Sequence, residues 1–266
     1  MKVGNLNLNV RIEGEGVPFV WGHGLTSNMK IEDTFDLFKW KEIPNTVRLV
    51  RYDARGHGQS EATYSPRDYI WSNLARDMIS IADACNIDSF VAGGQSMGCA
   101  TAIYAASLVP NRVKGLVLVN PPTAWESRAK QASLYRRNAR LVRLLGTRVL
   151  ASVIKRMPDR LMPGYIVESM ADRMNVVVES IRASDRRALA NVFEGAALCD
   201  FPPRDDIALI KMPTLILAWE GDKSHPVESA QALHTLIPQS ELIVAKDMSD
   251  LVPWPSRIRE FLQKQP

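Results

Sequence analysis

The sequence is poor in the residues that build disulfide-stapled or metal-binding domains. Only three cysteines occur among 266 residues, at Cys85, Cys99 and Cys199, in helix-like or apolar surroundings. This number and spacing suit reduced, buried thiols better than a disulfide framework or a metal site. Histidine is also scarce, with four in the chain. Each histidine can therefore be weighed by itself as a candidate base.

Long apolar runs and dense charge clusters are missing as well. No stretch is apolar enough to cross a bilayer, and residues 1–10 lack the basic and apolar blocks of a signal peptide. The net charge of +4 is modest, and the Lys and Arg residues form no dense cluster interleaved with aromatics. We therefore expect a soluble, cytoplasmic protein that binds a small-molecule substrate, with no nucleic-acid or membrane partner. Its oligomeric state stays open between monomer and homodimer.

Short apolar, β-branched runs alternate with amphipathic helical stretches along the chain. The strand candidates are Leu6 to Ile12, Phe19 to Trp21, Val47 to Tyr52, Phe90 to Ala92, Val113 to Val119, Leu215 to Trp219 and Leu242 to Ala245. Because helices separate the strands, the pattern predicts an α/β fold with a mostly parallel central sheet flanked by helices. Ligands of such sheets bind at the carboxyl ends of the strands.

Four helices can be placed from periodicity and capping signals. The first follows Ser65-Pro66 and should end near Asn86, and the others are predicted over Met97 to Leu108, Val227 to Leu236 and Pro255 to Leu262. These helices follow strand candidates, so the polar residues between strand and helix should collect at one edge of the sheet.

The rhythm of the chain changes between Pro122 and Asp200. This stretch is rich in Arg, Met, Leu and Ala in helical patterns and holds few strand candidates. We interpret residues 122–200 as an inserted helical lid between two parts of one core, residues 1–121 and 201–266. The basic residues of the lid suit either a solvated helix face or attraction for an anionic substrate.

The most informative motif is a serine between a strand and a helix. Phe90 to Gly93 is strand-like, Gly94-Gln95-Ser96-Met97-Gly98 follows, and small helix-forming residues come next. In a G-x-S-x-G turn the hydroxyl is pushed outward, and the glycines avoid collisions in the strained backbone. The motif therefore predicts that Ser96 is a nucleophile.

Four motifs in order resemble the α/β-hydrolase superfamily over almost the full length of the chain. They are Trp21 to Leu25, Tyr52 to Ser60, Gly94 to Gly98 and Gly221-Asp222. The resemblance implies a nucleophilic serine and no metal or organic cofactor. It also implies an oxyanion hole made by the backbone amides of Leu25 and Met97. Esterases, lactonases, carbon–carbon hydrolases and cofactor-free haloperoxidases share this fold, so the substrate class is left open.

The acid of this family follows a strand and precedes a proline and a helix. Asp222 has this setting, after the strand candidate that ends at Trp219 and before Pro226. Glu220 lies two residues earlier and would serve only if the turn were offset. The pattern therefore favours Asp222.

The family's base, a histidine shortly after the last strand, is missing. The usual spacing places Asp250 there, or Lys246 with a shorter loop, and the last histidine of the chain is His234. An aspartate base is weaker than a histidine by roughly 3.5 kcal/mol of driving force, because its reference pKa is about 3.9 instead of about 6.5. The departure bears directly on whether the site is active.

Three explanations of the missing histidine stay open. His225, three residues after Asp222 on the same loop, could approach Ser96 from an unusual direction, which we favour for activity. Alternatively, Asp250 or a bound water acts as base in a slow or specialised reaction, or the base was lost. Of the other histidines, His23 is expected to shape its loop beside the substrate, and His57 to pack within its own loop.

Apolar residues beside the motifs are candidates to line the substrate space. Besides Leu25 and Met97, they are Trp21, Trp125 and Trp254. Together these features predict a hydrolase in which Ser96 attacks an ester, lactone or related acyl bond of a small to medium, mostly apolar substrate. The alternatives are a ligand-binding or scaffold protein with a decayed site, and a lyase or cyclase that uses Asp250 as a base.

Overall fold

A seven-stranded sheet forms the centre of the molecule. The computed structural model describes residues 1–43 and 46–265. The sheet has the order β3-β5-β4-β6-β7-β8-β9, in which β3 is antiparallel to β5 and every other pair is parallel. Its strands are β3 (Val10–Glu13), β4 (Val17–Gly22), β5 (Val47–Tyr52), β6 (Phe90–Gln95), β7 (Val113–Val119), β8 (Thr214–Trp219) and β9 (Ser240–Ala245). A separate two-stranded ribbon, β1 (Lys2–Val3) and β2 (Leu6–Asn7), precedes it.

Helices cover both faces of the sheet. The core helices are α1 (Met29–Phe35), α2 (Trp71–Ala84), α3 (Met97–Leu108), α9 (Arg204–Ala208), α10 (Val227–Leu236), α11 (Met248–Leu251) and α12 (Trp254–Gln263). Strand residues alternate between two buried clusters: Val20 and Ala92 pack with α2, α3 and α10, whereas Phe19 and Val91 pack with α1 and α12. This alternation is the reason why nearly continuous apolar runs form the central strands.

Most predicted elements lie close to where the sequence places them. The strands β5 and β7 and the helices α3 and α10 have the predicted bounds. The predicted strand from Leu6 to Ile12 is instead divided into β2 and β3, because the chain leaves the ribbon before it joins the sheet. The helix after Ser65 begins as a 3₁₀ turn, Pro66–Tyr69, and becomes α-helical only from Trp71.

The segment between β7 and β8 holds helices and no strand among its described residues. It contains α4 (Arg128–Leu145), α5 (Thr147–Arg156), α6 (Gly164–Ser169), α7 (Met174–Ala183) and α8 (Arg186–Ala197). The helices α4 and α8 pack together, and Arg143 of α4 forms an ion pair with Glu194 of α8. The insertion leaves the core after the carboxyl end of β7, and the chain returns to the core at β8. The insertion therefore lies over the carboxyl ends of the strands. Within residues 1–43 and 46–265, every helix is too short or too polar to span a bilayer.

Three glycines allow β4, β6 and α3 to meet without side chains between them. A Cβ on Gly98 would lie 1.9 Å from the carbonyl oxygen of Gly22, and a Cβ on Gly94 would lie 2.6 Å from the same oxygen. Both distances are far shorter than any real contact, and the opposing atoms belong to backbone. The close approach therefore requires glycine at residues 94 and 98, on either side of Ser96.

We predict that Gly98→Ala lowers the free energy of unfolding by about 2–3 kcal/mol or more, because backbone cannot yield as a flexible side chain would. Urea denaturation measures the change. Gly164→Ala is the matched control, since a Cβ on Gly164 meets no atom within 4 Å. Equal stability of the two variants would contradict the argument.

Candidate active site

Ser96 lies on the turn between β6 and α3, in a strained backbone conformation. Its φ of 54° and ψ of −107° are unusual for a residue with a side chain. The turn is held because the Ser96 amide donates to the carbonyl of Val119, at the end of β7, over 2.9 Å. Strand pairing thus fixes the serine at the carboxyl edge of the sheet, as the motif predicts.

His225 reaches Ser96 from the loop after β8. Its Nε2 lies 2.7 Å from Ser96 Oγ, and its Nδ1 lies 2.7 Å from Oδ2 of Asp222. Because a carboxylate only accepts hydrogen bonds, Nδ1 carries the proton, and Nε2 is free to accept the hydroxyl proton of Ser96. Of the three explanations for the missing histidine, this geometry is the arrangement expected of the first.

One tight turn carries both the acid and the histidine. Oδ1 of Asp222 accepts hydrogen bonds from the backbone amides of Ser224 at 2.8 Å and of His225 at 3.3 Å. An aspartate that binds amides two and three residues ahead folds the chain back on itself. The preceding Gly221, with a φ of 84°, allows the chain to enter this turn. The turn thereby places the imidazole ring of His225 beside the carboxylate of Asp222.

The surroundings of Asp222 favour its ionised form. Burial raises the pKa of Asp222, but the charge of His225 and hydrogen bonds from His225, Ser224 and Trp219 more than offset this effect. The pKa of Asp222 therefore lies below its ordinary value of 3.8. The indole Nε1 of Trp219 donates to Oδ2 at 3.0 Å. Asp222 is thus an anion with every oxygen occupied by a donor.

Asp250 lies outside this constellation. Its carboxylate is exposed and accepts the backbone amide of Lys246 over 2.9 Å, and neither residue lines the cavity at Ser96. The neighbouring Asp247 caps α11 through the amides of Ser249 and Asp250. The loop where the family usually carries its base is therefore used here to begin a short helix.

The remaining histidines near the site are held in structural roles. His23 Nδ1 donates to the carbonyl of Gly24, and its Nε2 accepts the amide of Ala54 over 2.9 Å, so both ring nitrogens are occupied. His57 packs edge-on against His23 and donates to the carbonyl of Arg55. Burial, with a smaller effect of His23, lowers the pKa of His57 to about 3. His57 is therefore neutral at physiological pH.

The two amides expected to form an oxyanion hole lie beside Ser96. Met97 is the first residue of α3, where an amide has no partner within its helix. Leu25 lines the cavity with Ser96. Among the residues that the structure describes, no acceptor is bonded to either amide.

The cavity at Ser96 has two arms that share Leu25, Thr26, Ser96, Leu161 and His225. We name the first the aromatic arm; it has a volume of about 110 Å³ and is lined by Ile31, Glu32, Phe35, Phe38, Val177 and Trp219. We name the second the helical arm; it has a volume of about 130 Å³ and is lined by Gln131, Tyr135, Asn138, Ile154, Phe193 and Ser224. The dimensions suit a small ligand with two short branches.

The tryptophans predicted to face the substrate do not line this cavity. Trp21 is buried among Phe38 and Trp40 and donates to Glu32. Trp254 stacks on Trp219 with ring centroids 6.1 Å apart. Trp125 packs against Phe201, and its indole donates to the carbonyl of Pro202. His23 is likewise bonded to backbone, to Gly24 and Ala54. Adjacency to a motif thus misplaced these residues, because closeness along the chain does not determine which way a side chain points.

Several residues of the site carry no motif in the sequence. The indole of Trp219 donates to the carboxylate of Asp222. Ser224 is bonded to the insertion, because its carbonyl accepts the amide of Thr123 and its hydroxyl accepts the side-chain amide of Gln131. The position of Trp219 at the end of a strand candidate was a signal in the sequence that could have identified it as a residue of the site. Across the described part of the chain, no three histidine, cysteine or carboxylate side chains gather closely enough to form a metal site.

Comparison with known proteins decides the family. A family model described as alpha/beta hydrolase fold matches residues 23–254. The chain belongs to this family. The match includes Ser96, Asp222 and His225, and it confirms the fold class predicted from the strand-end motifs. The protein is thus an alpha/beta hydrolase.

Related proteins include hydrolases of several kinds. The AB hydrolase superfamily protein YisY of Bacillus subtilis is 26% identical over 247 residues, which cover 90% of this chain and 87% of that protein. The 3-oxoadipate enol-lactonase 1 of Acinetobacter baylyi is 28% identical over 217 residues, which cover 79% of this chain and 75% of that protein.

Solved structures show the same fold. The enol-lactonase from Burkholderia xenovorans LB400 superposes with a TM-score of 0.85 at 21% identity and covers 98% of both chains. A thermophilic esterase from Thermogutta terrifontis gives a TM-score of 0.81 at 23% identity, with 97% of this alpha/beta hydrolase and 92% of the esterase covered. At these identities the likeness concerns architecture.

The lowered pKa of Asp222 predicts how stability depends on pH. Since the pKa is lower in the folded than in the unfolded chain, ionised Asp222 stabilises the fold above the unfolded-state value, and this contribution is lost as the pH falls through the folded value. The difference in unfolding free energy between wild type and Asp222→Asn should therefore shrink as the pH falls below about 5 and on through the folded pKa, which lies below 3.8.

Urea denaturation at several pH values measures this difference. Val252→Ala, a change at an exposed residue that does not titrate, provides the baseline. A difference between wild type and Asp222→Asn that stays constant or grows as the pH falls would show that the carboxylate is not stabilised in its ionised form.

Proposed function

We propose that this alpha/beta hydrolase cleaves a small ester or lactone through a covalent acyl-serine intermediate. Ser96 is the nucleophile, and His225 is the general base and acid. Asp222 orients the imidazole of His225 and stabilises its protonated form. The observation that carries the proposal is the unbroken chain of hydrogen bonds from Ser96 Oγ to His225 to Asp222, with 2.7 Å at each step.

The geometry supports a defined order of steps. His225 Nε2 accepts the Ser96 proton as the hydroxyl oxygen attacks the acyl carbon, and the negative charge moves to the former carbonyl oxygen. The amides of Leu25 and Met97 donate to that oxyanion, a contact that typically contributes about 3 kcal/mol per donor in such enzymes. Collapse expels the alcohol, which takes the proton from His225. Water then attacks the acyl carbon as His225 takes its proton; the bond from that carbon to Ser96 Oγ breaks, the acid leaves, and His225 returns the proton to Oγ.

The cavity and the relatives support ester or lactone bonds. Two short arms meet at Ser96, as a substrate with an acyl part and an alcohol part requires. The names of related proteins include an enol-lactonase and an esterase. Both reactions begin with attack on an acyl carbon, so one triad serves either.

The two rival functions find less support in the geometry. A decayed binding protein would have no reason to keep Ser96, His225 and Asp222 in hydrogen-bond distance of one another. A lyase or cyclase that uses Asp250 as its base would need that carboxylate in the cavity, whereas Asp250 is exposed and bonded to Lys246.

A fluorophosphonate probe tests the nucleophile. We expect wild type to gain one covalent adduct, measured by intact mass, and Ser96→Ala to gain none, because Ser96 lines the cavity and its hydroxyl contacts a histidine that is itself bonded to a carboxylate. Ser256→Ala, on α12 and distant from the cavity lining, should be labelled like wild type. Equal labelling of wild type and Ser96→Ala would contradict the proposal.

A second pair of variants tests the base. His225→Ala should lower kcat for a short-chain aryl ester by about four orders of magnitude or more, since removal of a triad member disables the others. Asp250→Asn should change kcat less than about threefold, as expected of a surface substitution. Steady-state kinetics on both variants, with circular dichroism as a check of folding, provide the comparison. Loss of activity in Asp250→Asn alone would assign the base to Asp250.

A further inference from the structure

Positive charge is concentrated on two helices of the insertion. Residues 127–158 contain nine Lys and Arg residues and no Asp or Glu. The rest of the chain carries 24 Lys and Arg against 29 Asp and Glu. The modest overall charge of +4 thus hides a strongly cationic segment, α4 and α5, on a molecule that is otherwise slightly acidic.

Most of these cations are not neutralised by neighbours. In the described parts of the chain, Arg143 is the member of the segment with an ion-pair partner, Glu194. Exposed cations without one are Lys130, Arg136, Arg137, Arg140, Arg148, Lys155 and Arg156. Elsewhere on the surface, exposed arginines include several with a carboxylate partner, such as Arg182 with Glu179 and Arg204 with Glu126. The contrast leaves a net positive field around α4 and α5.

The same helices form a wall of the active-site cavity. Gln131 and Asn138 of α4 and Ile154 of α5 line the helical arm. Three exposed cations directly precede polar residues of that lining: Lys130 precedes Gln131, Arg137 precedes Asn138 and Lys223 precedes Ser224. Consecutive Cα atoms are about 3.8 Å apart, so the Cα atom of each cationic residue lies next to that of a residue that lines the arm.

The two arms differ in charge. The aromatic arm includes the carboxylate of Glu32, which is buried against Arg51 at 3.0 Å and Trp21. The helical arm has no acidic residue among its lining. An anionic group would meet in the first arm a carboxylate whose charge Arg51 already offsets, and in the second only uncharged polar groups and His225.

We infer that the α4–α5 face attracts substrates that carry a negative charge, and that the anionic part of the substrate enters the helical arm. The inference rests on the proposed ester or lactone hydrolysis and names the substrate class: a small ester or lactone with a carboxylate or similar anionic group. Steering by unpaired charge raises the rate of encounter by about tenfold or more and weakens as salt screens the field.

Two matched esters test the inference. meta-Carboxyphenyl acetate and meta-tolyl acetate have the same acyl group and similar leaving groups, and differ in charge. For wild type, we expect kcat/KM to be higher for the anionic ester at an ionic strength of about 0.01 M, and the preference to fade at about 0.5 M.

A triple variant locates the source of the preference. Lys130→Gln, Arg137→Gln and Arg140→Gln combined remove three exposed charges of α4 with side chains of similar helix propensity. We expect kcat/KM for the anionic ester to fall by about tenfold at low salt, with no change for the neutral ester. The matched control combines Lys114→Gln, Lys211→Gln and Lys264→Gln, which also removes three exposed charges. Lys114 and Lys211 lie at the amino-terminal ends of β7 and β8, opposite the edge that carries Ser96.

The outcomes separate the inference from the proposed function. Hydrolysis of both esters with an unchanged ratio in the α4 variant overturns the steering but leaves the hydrolase intact. If wild type cosediments with phosphatidylglycerol vesicles and the α4 variant does not, while the ester ratio is unchanged, the face binds anionic lipid and the inference is wrong. Failure of wild type to hydrolyse either ester overturns the function and the inference together.

Discussion

The carboxylate of Asp222 is the interaction on which the arrangement at Ser96 depends. One oxygen binds two backbone amides of its own turn, and the other binds the indole of Trp219 and the imidazole of His225. The first set shapes the loop and the second aims the histidine. Since both tasks fall to one buried anion, shape and charge are inseparable here.

The strand-end geometry supplies the other half of the site. Ser96 keeps its unfavourable backbone conformation because β6, β7 and α3 surround it and because Gly22, Gly94 and Gly98 let backbone approach backbone. The fold thus presents the hydroxyl at a fixed place, and the turn of Asp222 reaches that place from the end of β8, on the far side of β7.

The sequence predicted the fold and the strand-to-helix turn at Ser96 because these depend on local patterns. Apolar runs located the strands, and glycine spacing located Ser96. The base could only be narrowed to alternatives, since the pairing of Asp222 with His225 depends on how one turn folds. The predictions for Trp21, Trp125 and Trp254 failed for a related reason: closeness along the chain does not determine which way a side chain points. The lining of the cavity by α4 and α5 required knowledge of how the insertion packs.

Asp222 and His225 belong to one four-residue turn and are joined by a hydrogen bond of 2.7 Å. A displacement of that turn as a unit would keep this contact and change the distance from His225 Nε2 to Ser96 Oγ. An enzyme whose base and acid come from separate loops can lose alignment in two independent ways. In this molecule the turn is further tied to the insertion, where the amide of Thr123 donates to the carbonyl of Ser224.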